Sequence, residues 1–208
     1  VTNFEQTLAA AEKKNGDECY RVGGCRFRDI DPSAWYYAPM QAATFFKGGA
    51  DANGNPTGNV EPGRQTLRAE ALIAMERTMG LTDIEGTCAL TAAAKGVPEW
   101  ANCAANKAAE YKINFYGPLN QAANRDEVAD WMVSFAGGKL PVDGTKEFTK
   151  GFNDIGSCQA QGSVSTVVAN KLMTGYGTGG SWGCGKPLVR AELATVLNRL
   201  TDLMTLTK

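Results

Sequence analysis

The sequence predicts an all-α fold: three helix-hairpin repeats in a pseudo-threefold arrangement around a central three-helix bundle, preceded by one extra helix. Three observations predict it. The string Leu67-Arg68-Ala69-Glu70 returns as Asn124-Arg125-Asp126-Glu127 and as Val189-Arg190-Ala191-Glu192, each time opening a run whose apolar residues recur at helical spacing. A second marker, apolar-x-Asp-Ile, occurs as Phe27-Arg28-Asp29-Ile30, Leu81-Thr82-Asp83-Ile84 and Phe152-Asn153-Asp154-Ile155. From its Asp to the Arg of the next head (29 to 68, 83 to 125, 154 to 190) the distances are 39, 42 and 36 residues, so two independent landmarks keep step. Repeated supersecondary units of this size cannot cover their own apolar faces and come in stacked sets.

Taken in order, residues 1–18 form an N-terminal helical extension. Phe4, Leu8 and Ala11 share one helical face, and Asn15-Gly16 is an ordinary helix stop. The first repeat covers residues 19–80, the second 81–147 and the third 148–208. Each opens with a first helix and a Gly-rich loop. The first helix runs from about Trp35 to Phe46 before Gly48-Gly49, and from about Val164 to Leu172 before Gly175-Tyr176-Gly177. In the second repeat Pro98-Glu99-Trp100 leads an Ala-rich helix through Ala108 and Tyr111, after an insertion, Cys88 to Gly96, expected to form a helical turn of its own. The second helices follow the Arg-x-Glu heads. Their columns agree in type: Ala71, Val128 and Leu193; Met75, Met132 and Leu197; Thr78, Phe135 and Leu200. These fall at i, i+4 and i+7, one helix face, and three such faces can cover one another around a pseudo-threefold axis.

Composition excludes several classes. The apolar share of 43% and the charged share of 21% are those of a globular domain, and a net charge of -1 supplies no field for nucleic acid or anionic lipid. The longest apolar runs fall well short of the roughly 20 residues that a spanning helix needs. The six cysteines show no Cys-x-x-Cys spacing and there is no His, so the common zinc sites and a Ser-His-Asp triad cannot be built. Disulfides are the better use of an even count, and they place the chain in an oxidising, extracytoplasmic compartment. The opening Val1-Thr2-Asn3-Phe4 fits a mature chain after removal of a signal peptide. The cysteines fall two per repeat: Cys19 and Cys25, Cys88 and Cys103, Cys158 and Cys184. Of the 15 possible pairings, pairing within each repeat is the expectation.

The heads admit two readings. Glu at the third helical position can reach back to the N-cap amide, and Asn124 completes a capping box, while Leu67 and Val189 cannot, which leaves Thr66 to cap one residue early in the first head. Capping does not call for an Arg beside the positive helix terminus. A basic group there is either one half of an intramolecular ion pair or part of an anion site for a sugar carboxylate or phosphate. Trp35, Tyr36 and Tyr37 form one aromatic cluster, and Tyr116, Tyr176 and Trp182 lie in the Gly-rich loops, where aromatic faces stack on sugars or fill the core. Asp51-Ala52-Asn53-Gly54-Asn55 begins like a calcium loop, but Pro56 and Pro62 occupy its sixth and twelfth positions, so an Asn/Gly turn is the default. No cofactor and no catalytic group is expected.

The order apolar-x-Asp-Ile, Trp35, helix, Gly-rich turn and Arg-Ala-Glu opening a second helix resembles the S-layer homology family, usually found as three tandem copies. The likeness runs from Phe27 to about Leu203, with Leu67, Asn124 and Val189 where the family carries Thr or Ser before the Arg. It implies a pseudo-trimeric spindle whose grooves between repeats bind an anionic cell-wall polysaccharide through Arg68, Arg125 and Arg190. It also matches Trp35 to the family's repeat-start aromatic, and Tyr176 and Trp182 join as loop aromatics. Two functions follow as expectations. One is a non-catalytic extracellular module anchored to cell-wall polysaccharide. The other is a self-assembling subunit of a surface layer or filament, a homo-oligomer or homopolymer with the glycan site reduced. Read as a complete mature protein, the chain carries little besides its repeats, which favours the second.

Overall fold

A computed structural model describes residues 26–49, 53, 55, 57–176 and 180–206. The N-terminal extension, the expected Cys19–Cys25 bridge, Gly177 and most of the Asp51–Asn55 turn lie outside these. The described residues are helical, with no strand beyond isolated bridges. Six α-helices are present: α1 Tyr37–Ala42, α2 Arg68–Thr78, α3 Asn102–Glu110, α4 Arg125–Ala136, α5 Gln161–Ala169 and α6 Arg190–Leu206. Short 3-10 turns cover Glu99–Ala101, Lys146–Thr149 and Ile155–Ser157.

Each Arg of the three heads is the first helical residue, as the repeat spacing requires. Glu70, Glu127 and Glu192 turn back so that their carboxylates accept the N–H groups of Leu67 (3.0 Å), Asn124 (3.0 Å) and Val189 (3.1 Å). This satisfies one orphan amide at every head whatever side chain occupies the N-cap. Asn124 uses its own amide differently, turning its NH2 toward Glu127 Oε1 at 3.5 Å. Thr66 does not cap. Its hydroxyl is buried without a hydrogen-bond partner, while its backbone N–H and carbonyl are engaged elsewhere. Helix α4 stops where Gly137 takes a left-handed conformation (φ 57°), the usual C-terminal exit.

By contacts the chain falls into two compact units: one of residues up to Arg64 with Val189–Asn198, the other of Gln65–Leu188 with Arg199 onward. In the first, Phe27, Ile30, Met40, Phe45, Phe46 and Val60 are buried, as are Leu193 and Leu197 of α6. Asn198 donates to the Pro39 carbonyl (2.7 Å). In the second, α2 packs against α3 and α4, and α4 against α5. Its core holds Ala71, Leu72 and Met75 of α2, Val128, Trp131, Met132 and Phe135 of α4, and Val164 and Val167 of α5. Eight of the nine column residues expected to face inward are buried, and Thr78 is intermediate.

Three backbone hydrogen bonds in the second unit close a triangle. Thr66 N–H donates to the Leu188 carbonyl (2.9 Å), Leu188 N–H to Ala123 (3.0 Å) and Ala123 N–H to Thr66 (2.9 Å). Each residue lies two positions before the Arg of a head.

Three expectations need correction. Helix α5 spans Gln161–Ala169 and not Val164 to Leu172, because Lys171 takes a left-handed conformation (φ 58°) that ends it early. Helix α1 is shorter than the span from Trp35 to Phe46. Its last turns give way at Ala43, whose N–H bonds Met40 in a tight turn, and Thr44 N–H bonds Ala42. The insertion from Cys88 to Gly96 forms no helical turn, because side chains of α3 take up its backbone. Asn106 Oδ1 accepts the N–H groups of Thr91 (2.8 Å) and Ala92 (3.0 Å), and Asn106 Nδ2 donates to Ala89 O (2.8 Å).

Candidate functional site

The three head arginines reach Gly-rich loops, each in its own way. Arg68 is buried and forms a fork-to-fork pair with Glu127, Nε to Oε2 at 2.8 Å and Nη2 to Oε1 at 2.6 Å, with Nη1 3.4 Å from the Pro118 carbonyl. Glu127 therefore caps its own helix and holds the arginine of helix α2 with the same carboxylate. Arg125, also buried, donates from Nε to Trp182 O (3.1 Å) and from Nη2 to Thr174 O (2.6 Å). Its guanidinium lies 4.5 Å from the Tyr176 ring and 4.9 Å from the Trp182 ring, an aromatic cage for a cation. Arg190 donates from Nη1 to Val60 O (2.8 Å) and sits 5.9 Å from the Phe46 ring.

The loops are shaped to receive these side chains. A Cβ at Gly117 would lie 3.2 Å from Arg68 Cζ, and one at Gly183 would lie 2.5 Å from the Tyr176 ring and 3.3 Å from Arg125 Cδ. The marker aspartates hold the same loops from the other side. Asp29 accepts the N–H groups of Val60 (2.8 Å) and Glu61 (2.7 Å). Asp154 accepts from Trp182, Gly183 and Cys184 N–H and from the Ser181 hydroxyl. Burial works against ionising Asp154, but these donors prevail and hold its carboxyl down at about 2. Asp83 departs from the pattern. It is exposed and left-handed (φ 60°), and its carboxylate accepts from the neighbouring Thr82 hydroxyl (3.3 Å).

Of the six residues expected to bind a glycan, the structure brings three together: Arg125, Tyr176 and Trp182. Trp182 is wholly buried, a core residue and not a loop-surface one, and its indole N–H has no hydrogen-bond partner. Tyr176 keeps 36% of its surface exposed, and Lys186 Nζ lies 4.8 Å from its ring. No protein-family model matches this chain, and no curated protein matches it. Arg68 belongs to the same unit as this trio but is spent on Glu127. Trp35 and Arg190 belong to the other unit; Trp35 is 65% exposed and meets Tyr36 edge-on at 5.5 Å.

Two cysteine pairs are joined as expected, Cys88–Cys103 and Cys158–Cys184, each within one repeat. The second is gripped by a residue the repeat pattern underplays. Asp126, fully buried, accepts the N–H of Gln159 (2.9 Å) and of Gly185 (3.0 Å), the residues that follow the two cysteines. Its signal was present in the sequence, since it is the acidic substitute for Ala69 and Ala191 of the other heads. Asp130, one turn on, accepts from Ser163 (2.6 Å), Tyr116 (2.6 Å) and Asn114 (3.1 Å), and burial together with Asp130 pushes the Tyr116 phenol up. Among the described residues no group of His, Cys, Asp or Glu could hold a metal ion, and no helix is long and apolar enough to cross a membrane.

Proposed function

We propose that the chain is a non-catalytic, extracellular module of the S-layer homology type. Its three repeats close around a pseudo-threefold axis, and it anchors to an anionic cell-wall glycan at the Arg125–Tyr176–Lys186 edge. The triangle of Thr66, Ala123 and Leu188 supports the threefold reading, because it links one equivalent residue from each repeat head. The observation that carries the function is the exposed part of the Tyr176 ring beside the exposed Lys186 ammonium, 4.8 Å from the ring, with the buried Arg125 guanidinium 4.5 Å from the same ring. A sugar packs against the exposed part of that ring, and a carboxylate substituent on it pairs with the exposed Lys186, while Arg125, buried and donating to the Trp182 and Thr174 carbonyls, holds the ring in place. In this reading Arg68 is a structural tie between repeats, and one edge binds where three equivalent grooves were expected. Location outside the cytoplasm follows from the disulfides, which persist in oxidising compartments.

The test is co-sedimentation with native cell-wall sacculi. Wild-type protein pellets with them, and Lys186→Ala combined with Tyr176→Ala stays in the supernatant while retaining its melting temperature. Unchanged pelleting of that double variant overturns the assignment. Self-assembly into a layer or filament is the second reading, favoured by the internal use of Arg68. Electron microscopy of purified protein without glycan tests it, ordered polymers being the supporting result.

A further inference from the structure

The second repeat carries an insertion that the other two lack, and a pocket lies where the segments leading into and out of it meet. Gly86, Thr87, Cys88, Glu99 and Trp100 line an open cavity of about 330 Å³. Trp100 is 52% exposed, an unusual position for the largest apolar side chain unless something covers it. Beside it stand the exposed Glu99 and the exposed Thr87. Thus a flat aromatic face, a carboxylate and a hydroxyl border one ring-sized hollow.

One wall is anchored at Cys88 before any ligand arrives. The Cys88–Cys103 bridge ties the insertion to α3, and Asn102 Nδ2 donates to Cys88 O (3.1 Å). Asn106 clamps Ala89, Thr91 and Ala92 through three hydrogen bonds. Gly86, at φ 109°, takes a backbone conformation that side-chain-bearing residues avoid and turns the chain into the pocket wall. A loop held by a covalent bridge and two asparagines loses little freedom on binding, which is what preorganisation contributes to affinity.

We propose that this pocket is a second saccharide subsite, selective for a sugar without an acidic substituent. The C–H face of a pyranose stacks on the Trp100 indole, Glu99 accepts hydrogen bonds from neighbouring ring hydroxyls, and Thr87 supplies a further polar contact. The carboxylate repels an acidic sugar, so the pocket complements the cationic Tyr176 edge: one site takes the charged residue of a heteropolymer and the other a neutral residue. The choice of a sugar as occupant rests on the glycan-binding reading given above.

The test is NMR of the indole N–H resonances, with Trp100 assigned from Trp100→Phe, during titration with chitotriose, with maltotriose and separately with tetramethylammonium chloride. The expected result is a saturable shift of the Trp100 resonance with one of the trisaccharides. By calorimetry binding should weaken about tenfold in Trp100→Ala, the loss of one aromatic stacking contact, recover in part in Trp100→Phe, and weaken in Glu99→Ala. Both positions are exposed, so the variants fold. A silent Trp100 with both trisaccharides overturns the proposal, as does Glu99→Ala binding like wild type, or a shift with the quaternary ammonium alone, which makes the pocket a cation site. Sacculus pelleting of the same wild-type preparation separates the two readings. Pelleting with a silent Trp100 removes the subsite and leaves the module's function standing, and a responsive Trp100 without pelleting does the reverse.

Discussion

Glu127 and Glu76 are both fully buried carboxyls on helices that pack together, α4 and α2. Glu127 meets the Arg68 fork and the Asn124 amide, whereas neither oxygen of Glu76 has a hydrogen-bond partner among the described residues. Burial pushes the Glu76 carboxyl up to about 8, Lys107 pulling it down and Glu110 raising it further. Equal burial thus leaves one carboxyl built into a network and the other a neutral acid without a hydrogen bond. What decides is whether a cation comes within hydrogen-bond reach, as Arg68 does for Glu127 and Lys107 does not for Glu76.

Removing the partner in the first case has the largest effect expected. Glu127→Ala leaves the Arg68 guanidinium buried and unpaired, and should cost about 3–5 kcal/mol of unfolding free energy in urea. A loss under 1 kcal/mol would show that the pair merely breaks even with solvent. Glu76→Gln should act in the opposite direction. Glu76 is protonated when folded and ionised when unfolded between pH 4.5 and about 8, so unfolding releases a proton and wild-type stability falls as pH rises through that window. The variant lacks that slope. It should be the more stable form at pH 7 by about 3 kcal/mol, the gap widening by about 1.4 kcal/mol per pH unit; parallel pH profiles would mean that water reaches the carboxylate.

Asp154 supplies a third environment, a partly exposed carboxylate that gathers four donors. Asp154→Asn should lose about 1–2 kcal/mol. Its folded value is depressed, so its contribution is full above pH 4 and fades as pH falls toward 2. Acid unfolding of wild type and variant should converge there. The smallest effect belongs to Thr66. Its buried hydroxyl has no partner, and Ala123 and Leu188 hold the equivalent positions, so Thr66→Val should raise stability by about 1 kcal/mol in thermal melts.

The helices and their inward faces were legible because helical period and repeat spacing are local properties: Met75, Met132 and Leu197 could be set in one column from the chain alone. The partners of the heads were not. Three arginines in one register met different groups, the Glu127 carboxylate, carbonyls beside an aromatic cage and the Val60 carbonyl, because their partners come from segments whose paths no local pattern dictates. Trp182 illustrates the same limit: Gly-rich surroundings suggested an exposed ring, and Asp154 draws that loop inward until the ring is covered. Asp83 repeats the letters of Asp29 without the clamp, since a left-handed backbone turns it to solvent. Asp126 and the insertion were visible as departures from the repeat, and both proved to be where the second repeat makes contacts of its own.

The triangle of Thr66, Ala123 and Leu188 is made wholly of amides and carbonyls, so its one chemical demand is that none of the three be proline. Around Arg125 the aspartate clamp is missing at Asp83, a loop is inserted at Cys88 and an acid is buried at Asp126, and the three bonds are made all the same.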